Sequence, residues 1–134
     1  MRGWEWVRVS GELDTGSAAE VHRALHARVE DGCRRLVVDL GALTFCDSSG
    51  ASVLLGLRRT MHGLRGAVHL VLPAVGSGAR RVFEIWGLDR AFPSHDTLVG
   101  ALPVAAFDRR PAAPAAPGPE AARDVDQLLH RGAR

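Results

Sequence analysis

Short apolar runs alternate with helix-periodic apolar stripes along the first hundred residues, and this alternation limits the architectures open to the chain. Arg35 to Leu40 and Ala67 to Leu72 are near-continuous apolar runs of the kind that fills a buried parallel strand. Val21, Leu25 and Val29 recur at i, i+4 and i+8. Val53, Leu54, Leu57 and Met61 make a second stripe, and Ala79, Val82, Phe83 and Trp86 a third. Strands and helices taking turns at this spacing predict βαβ units with right-handed crossovers. The fold class is therefore α/β, with a sheet flanked by helices. The chain's 134 residues suit one compact domain.

The element limits follow from local punctuation. Trp4 to Ser10 reads as a strand, with Val7, Val9 and Leu13 on one side and Trp4, Trp6, Arg8 and Ser10 on the other. Gly11 to Asp14 reads as the polar loop that ends it. Ser17 and Glu20 stand at capping-box spacing before the first helix, and Gly32 stops that helix. Leu43 to Cys46 continues the chain toward the second helix, which Gly63 and Gly66 end. Pro73 stops the Ala67 strand, and Gly87 stops the third helix. Leu88, Ala91 and Phe92 read as a last short strand or extended segment, and Leu98 and Leu102 as a brief final helix. The domain is placed at 1–105. Residues 106–134 form a Pro/Ala-rich linker, with a short helix over Glu120–His130 that would carry Val125, Leu128 and Leu129.

Composition removes several functions. All 17 basic residues are arginine, with no lysine and no tyrosine, which reflects the base composition of a GC-rich genome. Net charge is only +2, and Arg34-Arg35, Arg58-Arg59, Arg80-Arg81 and Arg109-Arg110 read as solvated element ends. Without a basic stripe interleaved with aromatics, no direct nucleic-acid partner is expected. Cys33 and Cys46 form no CxxC, and His22 and His26, four apart, have no fixed third ligand. No metal and no cofactor are expected. No leader peptide or long apolar run is present, so no membrane contact is expected and the location is cytoplasmic.

The chemistry concentrates in Leu43-Thr44-Phe45-Cys46-Asp47-Ser48-Ser49-Gly50-Ala51. An apolar run ends in a polar turn, and a helix starts directly after it. Asp47 or Ser48 caps that helix. Two hydroxyls and a carboxylate then stand where free amides and the helix dipole favour negative charge, so a phosphate is tolerated there. Asp14, Asp39 and this turn all fall at the C-terminal ends of strands, where sites of α/β folds collect.

These blocks together resemble the STAS family, which is named from sulfate transporters and anti-sigma factor antagonists. Val9 to Asp14 is similar to the family's Gly-Glu-Leu-Asp strand end, and Leu36 to Leu40 to its central strand. Phe45 to Gly50 matches its phosphorylation loop, and Arg81 to Leu88 its third helix. The resemblance implies a mixed, mainly parallel sheet with flanking helices and a non-enzymatic regulator. Its phosphorylated residue would be Ser48, with Ser49 as the competing acceptor, and Asp14, Asp47, Ser48, Ser49 and Gly50 would form the partner interface. The implied partners are an anti-sigma factor serine kinase of histidine-kinase-like ATPase fold and a metal-dependent serine phosphatase. The unphosphorylated protein would bind the kinase and free a sigma factor, and phosphorylation would break that complex.

Two departures from the family accompany this. The usual first strand is absent, because only three residues precede Trp4. An upstream start, the tail, or a homodimer through this N-terminal edge strand would cover the exposed edge. Ala51 replaces a larger aliphatic residue, which loosens the expected partner contact. Two other functions stay open on the residues. One is a STAS sensor or scaffold in a larger signalling assembly. The other is a serine hydrolase using Ser48 or Ser49 with His62, His69 or His95 as base, although the Gly-x-Ser-x-Gly elbow is missing.

Overall fold

The computed structural model describes residues 3–106, so the Pro/Ala-rich linker and the expected Glu120–His130 helix lie outside the described residues. Along the chain run β1 (Glu5–Arg8), β2 (Gly11–Leu13), α1 (Ala18–Glu30), β3 (Arg35–Asp39), β4 (Leu43–Cys46) and α2 (Ser48–Gly63). Then follow β5 (Ala67–Val71), α3 (Gly78–Ile85), α4 (Leu88–Ala91), β6 (Ser94–His95) and α5 (Leu98–Ala106). Four strands form one sheet in the order β1-β3-β5-β6, and β2 and β4 form a second. Among the described residues every pairing is parallel.

Strand alternation divides the large sheet into two faces. Leu36, Val38, Val68 and Leu70 join Val21, Leu25, Leu54, Leu57, Met61 and Phe83 in the main core under α1, α2 and α3. On the other face Trp4, Val37, Ala67 and Val71 pack against Ala101 of α5, with Trp6, Leu98 and Leu102 around them. Cover on both faces explains why β3 and β5 read as continuous apolar runs. Among the described residues β1 pairs only with β3 and is the sheet's edge. The edge is short, and both its charges are engaged: Glu5 with Arg28 at 3.6 Å and Arg8 with Asp39 at 3.2 Å.

Four local expectations are corrected. The Trp4–Ser10 strand is shorter than expected, Glu5–Arg8, and Gly11, at φ +80°, redirects the chain from one sheet to the other. Gly11 to Leu13 is thus β2 rather than loop, and it pairs with β4, which is a strand in its own right. The capping box does not form: the Ser17 hydroxyl donates to the Glu12 carbonyl at 2.7 Å and accepts from the Asp14 amide at 3.0 Å. Leu88–Ala91 is a helical turn, and the last strand is Ser94–His95.

The arginine pairs are the fourth correction, because they are not uniformly solvated. Arg35 is buried, at 3% exposure, and Arg34 donates to the Val29 carbonyl at 2.8 Å, closing the end of α1. Arg58 ties α2 to α4 through the Ala91 carbonyl at 2.7 Å, and Arg80 joins Pro73 at 3.1 Å to Asp96 at 3.0 Å. Arg34, Arg58 and Arg80 each donate to a backbone carbonyl, and Arg80 also to a carboxylate, in place of free solvation. Arg109-Arg110 lies outside the described residues.

Candidate functional site

The parallel pairing of β2 with β4 brings the start of α1 and the start of α2 to one end of the molecule. At that end the Asp47 amide donates to the Leu13 carbonyl at 3.2 Å, fixing the second loop against the first strand. Asp47, not Ser48, is the helix cap. Its carboxylate accepts from the Ser49 amide at 2.9 Å and the Gly50 amide at 3.4 Å. Its backbone is extended, as a cap requires.

Once Asp47 has taken the cap, Ser48 becomes the first helical residue. It is exposed, and among the described residues nothing holds its hydroxyl. Ser49 is half-buried, and its hydroxyl shares a 3.2 Å hydrogen bond with the Thr15 hydroxyl across the two loops. Gly50 is buried in a close approach. A Cβ there would stand 2.7 Å from Leu13 Cγ and Cys46 Sγ and 2.9 Å from the Leu13 carbonyl. Only hydrogen fits, so α2 can start directly on β2. Ala51 is buried in the main core. It is a packing residue, and its small size bears on the core rather than on a docking contact.

Asp14 lies on the neighbouring loop, half-buried, with its carboxylate turned into its own backbone. It accepts from the Gly16 amide at 2.9 Å and the Ser17 amide at 3.1 Å. That Asx turn opens α1 in place of the capping box. Asp39 is buried and spent on Arg8 and the Gly41 amide at 3.0 Å, so it does not reach the surface as a site residue. Burial, with a smaller contribution from the Asp47 charge, pushes the Cys46 thiol up to about 12. Cys46 is therefore a neutral packing group beside the loop and not a thiolate nucleophile.

The candidate bases for a serine hydrolase are elsewhere. His62 is exposed near the far end of α2, about 21 Å from Ser48 at the helical rise per residue. His69 and His95 bond to each other under α5. His22 and His26 stack on α1 at 4.0 Å, and among the described residues no group of three or more His, Cys, Asp or Glu could hold a metal ion.

An apolar flank adjoins the loop that sequence reasoning missed. Phe45, on β4 two residues before Asp47, is 47% exposed. α3 packs against β4, and Ile85 at 68% and the following Trp86 at 45% are exposed as well. Trp86 read as part of a buried stripe, but on this short helix only Ala79 and Phe83 are buried. Phe45 near the loop, and exposed apolar side chains at the end of the helix that packs on its strand, give apolar area suited to a protein partner.

Comparison with known proteins agrees with this architecture. The STAS domain family matches residues 5–101. The anti-sigma-F factor antagonist RsfB of Mycobacterium tuberculosis is 34% identical over 94 residues, covering 70% of this chain and 75% of that protein. An anti-sigma F factor antagonist of Paenibacillus polymyxa is 31% identical over 102 residues, covering 75% and 86%. The crystal structure of an anti-sigma factor antagonist from Mycobacterium paratuberculosis superposes with a TM-score of 0.69 at 31% identity, covering 78% of this chain and 87% of that one. No described helix is long and apolar enough to cross a membrane.

Proposed function

Because the chain belongs to the STAS domain family, we propose that it is an anti-sigma factor antagonist switched by phosphorylation of Ser48. Without phosphate it docks on an anti-sigma factor that is also a serine kinase, and a sigma factor is freed to direct transcription. With phosphate it lets go, and a metal-dependent serine phosphatase resets it. The cycle runs in the cytoplasm.

One observation carries this reading: Ser48 offers an exposed, unheld hydroxyl at the start of α2, while Ser49 is engaged by Thr15. A kinase can reach the first without disturbing the fold, whereas the second costs a loop-to-loop contact. Phosphorylation adds about −1.5 to −2 charges at neutral pH. The α2 dipole offsets part of this. Asp47 already occupies the Ser49 and Gly50 amides, so those donors are not free to neutralise a new anion. The added charge stays on the surface, beside Asp47. A partner surface that accepts a neutral serine there meets repulsion and desolvation instead. Phe45, Ile85 and Trp86 supply apolar area for the neutral complex.

Incubation with ATP and a kinase-type anti-sigma factor, followed by mass spectrometry, tests the proposal. The expected result is a single phosphate on Ser48, absent from Ser48→Ala, with the Ser48→Ala protein still binding the kinase. Phosphate on Ser49, or binding that ignores Ser48 phosphorylation, would overturn it.

A further inference from the structure

His69 and His95 meet on the sheet face opposite α1 and α2. His69 Nδ1 and His95 Nε2 are 3.0 Å apart, and the two rings are nearly coplanar in orientation at 6°. Trp4 stands edge-on to His69 with centroids 5.0 Å apart. His69, on the interior strand β5, is 3% exposed, while His95 on the edge strand β6 is half-buried. Only two residues after His95, Thr97 opens α5, its hydroxyl accepting from the Gly100 amide at 2.9 Å. α5 then lies over β3, β5 and β6. The imidazole pair thus joins the last strand, from which the chain continues into α5, to the interior strand β5.

We propose that the His69–His95 pair is a pH-operated clasp, which holds α5 on the sheet near neutral pH and releases it on acidification. The hydrogen bond needs one ring nitrogen to donate and the other to accept. One extra proton on the pair keeps a donor facing an acceptor. A second proton leaves two N–H groups and two positive charges facing each other, and the bond must open.

The surroundings resist charge. Trp4, Val37, Val71 and Ala101 are apolar walls, and residues 98–106 of α5 contain no titratable side chain. From β3, Arg35 adds a buried cation to this face, while Asp39 is already paired with Arg8 of β1. Among the described residues Asp96 is the anion that favours protonation, and it is shared with Arg80 of α3, which also meets Glu84 at 3.3 Å. Burial and then His69 push His95 below the ordinary histidine range, with Asp96 opposing. The sign follows from that direction. An unfolded His95 takes up its proton near its ordinary value of 6.5, before the folded one does. Stability at this face is therefore present above that pH and is lost as pH falls below it.

Amide hydrogen exchange on the whole chain, at about pH 7.5 and about pH 5 and corrected for intrinsic rates, tests the clasp. The Ala101 amide, which bonds to the Thr97 carbonyl at 2.9 Å, is the reporter. It should exchange at least about tenfold faster at the lower pH, while Leu54 and Leu57 of α2 keep their protection. The double variant His69→Gln/His95→Gln, which keeps a neutral donor–acceptor pair, should hold Ala101 protected at both values. Unchanged protection of Ala101 in the unaltered chain would overturn the proposal, as would equal loosening in the double variant. Should that variant not fold, the imidazole nitrogen shifts of the unaltered chain decide. Uptake of the second proton at the same midpoint as the loss of Ala101 protection supports the clasp, and independent midpoints refute it. None of these readouts depends on Ser48 or its kinase.

Discussion

Cys46 shows how one buried group ties pH to the candidate site. In the unfolded chain its thiol ionises near its ordinary value of 9.0, whereas burial holds the folded thiol protonated to about 12. The folded state thus binds more protons between those values, and stability is present below them and lost as pH rises through them. The chain has no lysine and no tyrosine, so few other side chains titrate in that window. Urea unfolding at about pH 8 and about pH 10.5 should show a larger loss for the unaltered protein than for Cys46→Ala. Equal losses would remove Cys46 from the account. At this scale the loop was half legible. Asp-Ser-Ser-Gly announced a capped helix start, but two residues could cap it. The choice fell to Asp47 because its carboxylate reaches two amides at once. That choice is what leaves Ser48 free. The Thr15–Ser49 bond, spanning 34 residues, has no local signal at all.

Elements were legible where they are long and periodic. The α1 and α2 stripes bury the residues that their spacing marked: Val21, Leu25, Val29, Val53, Leu54, Leu57 and Met61. β2 and β4 were not legible, because three or four residues cannot show an alternation and their pairing is non-local. The start of α1 was misassigned for a related reason. Ser17 and Glu20 have the right spacing, but the nearby Asp14 carboxylate covers the Gly16 and Ser17 amides first. Asp14→Ala should therefore cost about 1 kcal/mol in urea unfolding, the usual worth of such a cap. Asp14→Asn, which can still form the turn, should stay within about 0.5 kcal/mol. If both cost the same, charge rather than the turn holds the end of α1. Kinase binding by the stable Asp14→Asn protein then separates a structural Asp14 from an interface Asp14.

For the whole molecule, the Ser48 loop sits at the ends of β2 and β4, while the cohesive contacts lie in two cores on either face of the large sheet. A charge added at the loop should therefore change docking and spare the fold. Ser48→Asp is expected to melt within a few degrees of the unaltered protein, since surface changes away from buried features stay within about 0.5 kcal/mol. Its binding to a kinase-type anti-sigma factor should fall at least about tenfold. A large drop in melting temperature with intact binding would reverse the assignment of the switch. By itself the sequence determined the α/β class, the order of the main helices and strands and the Asp47–Gly50 turn, because apolar periodicity and turn chemistry act within a few residues. Only the tertiary structure decided the split into two sheets, the burial of Arg35, the Thr15–Ser49 bridge and the meeting of His69 with His95. Those depend on strand register and close packing between distant segments, which no short stretch of chain encodes.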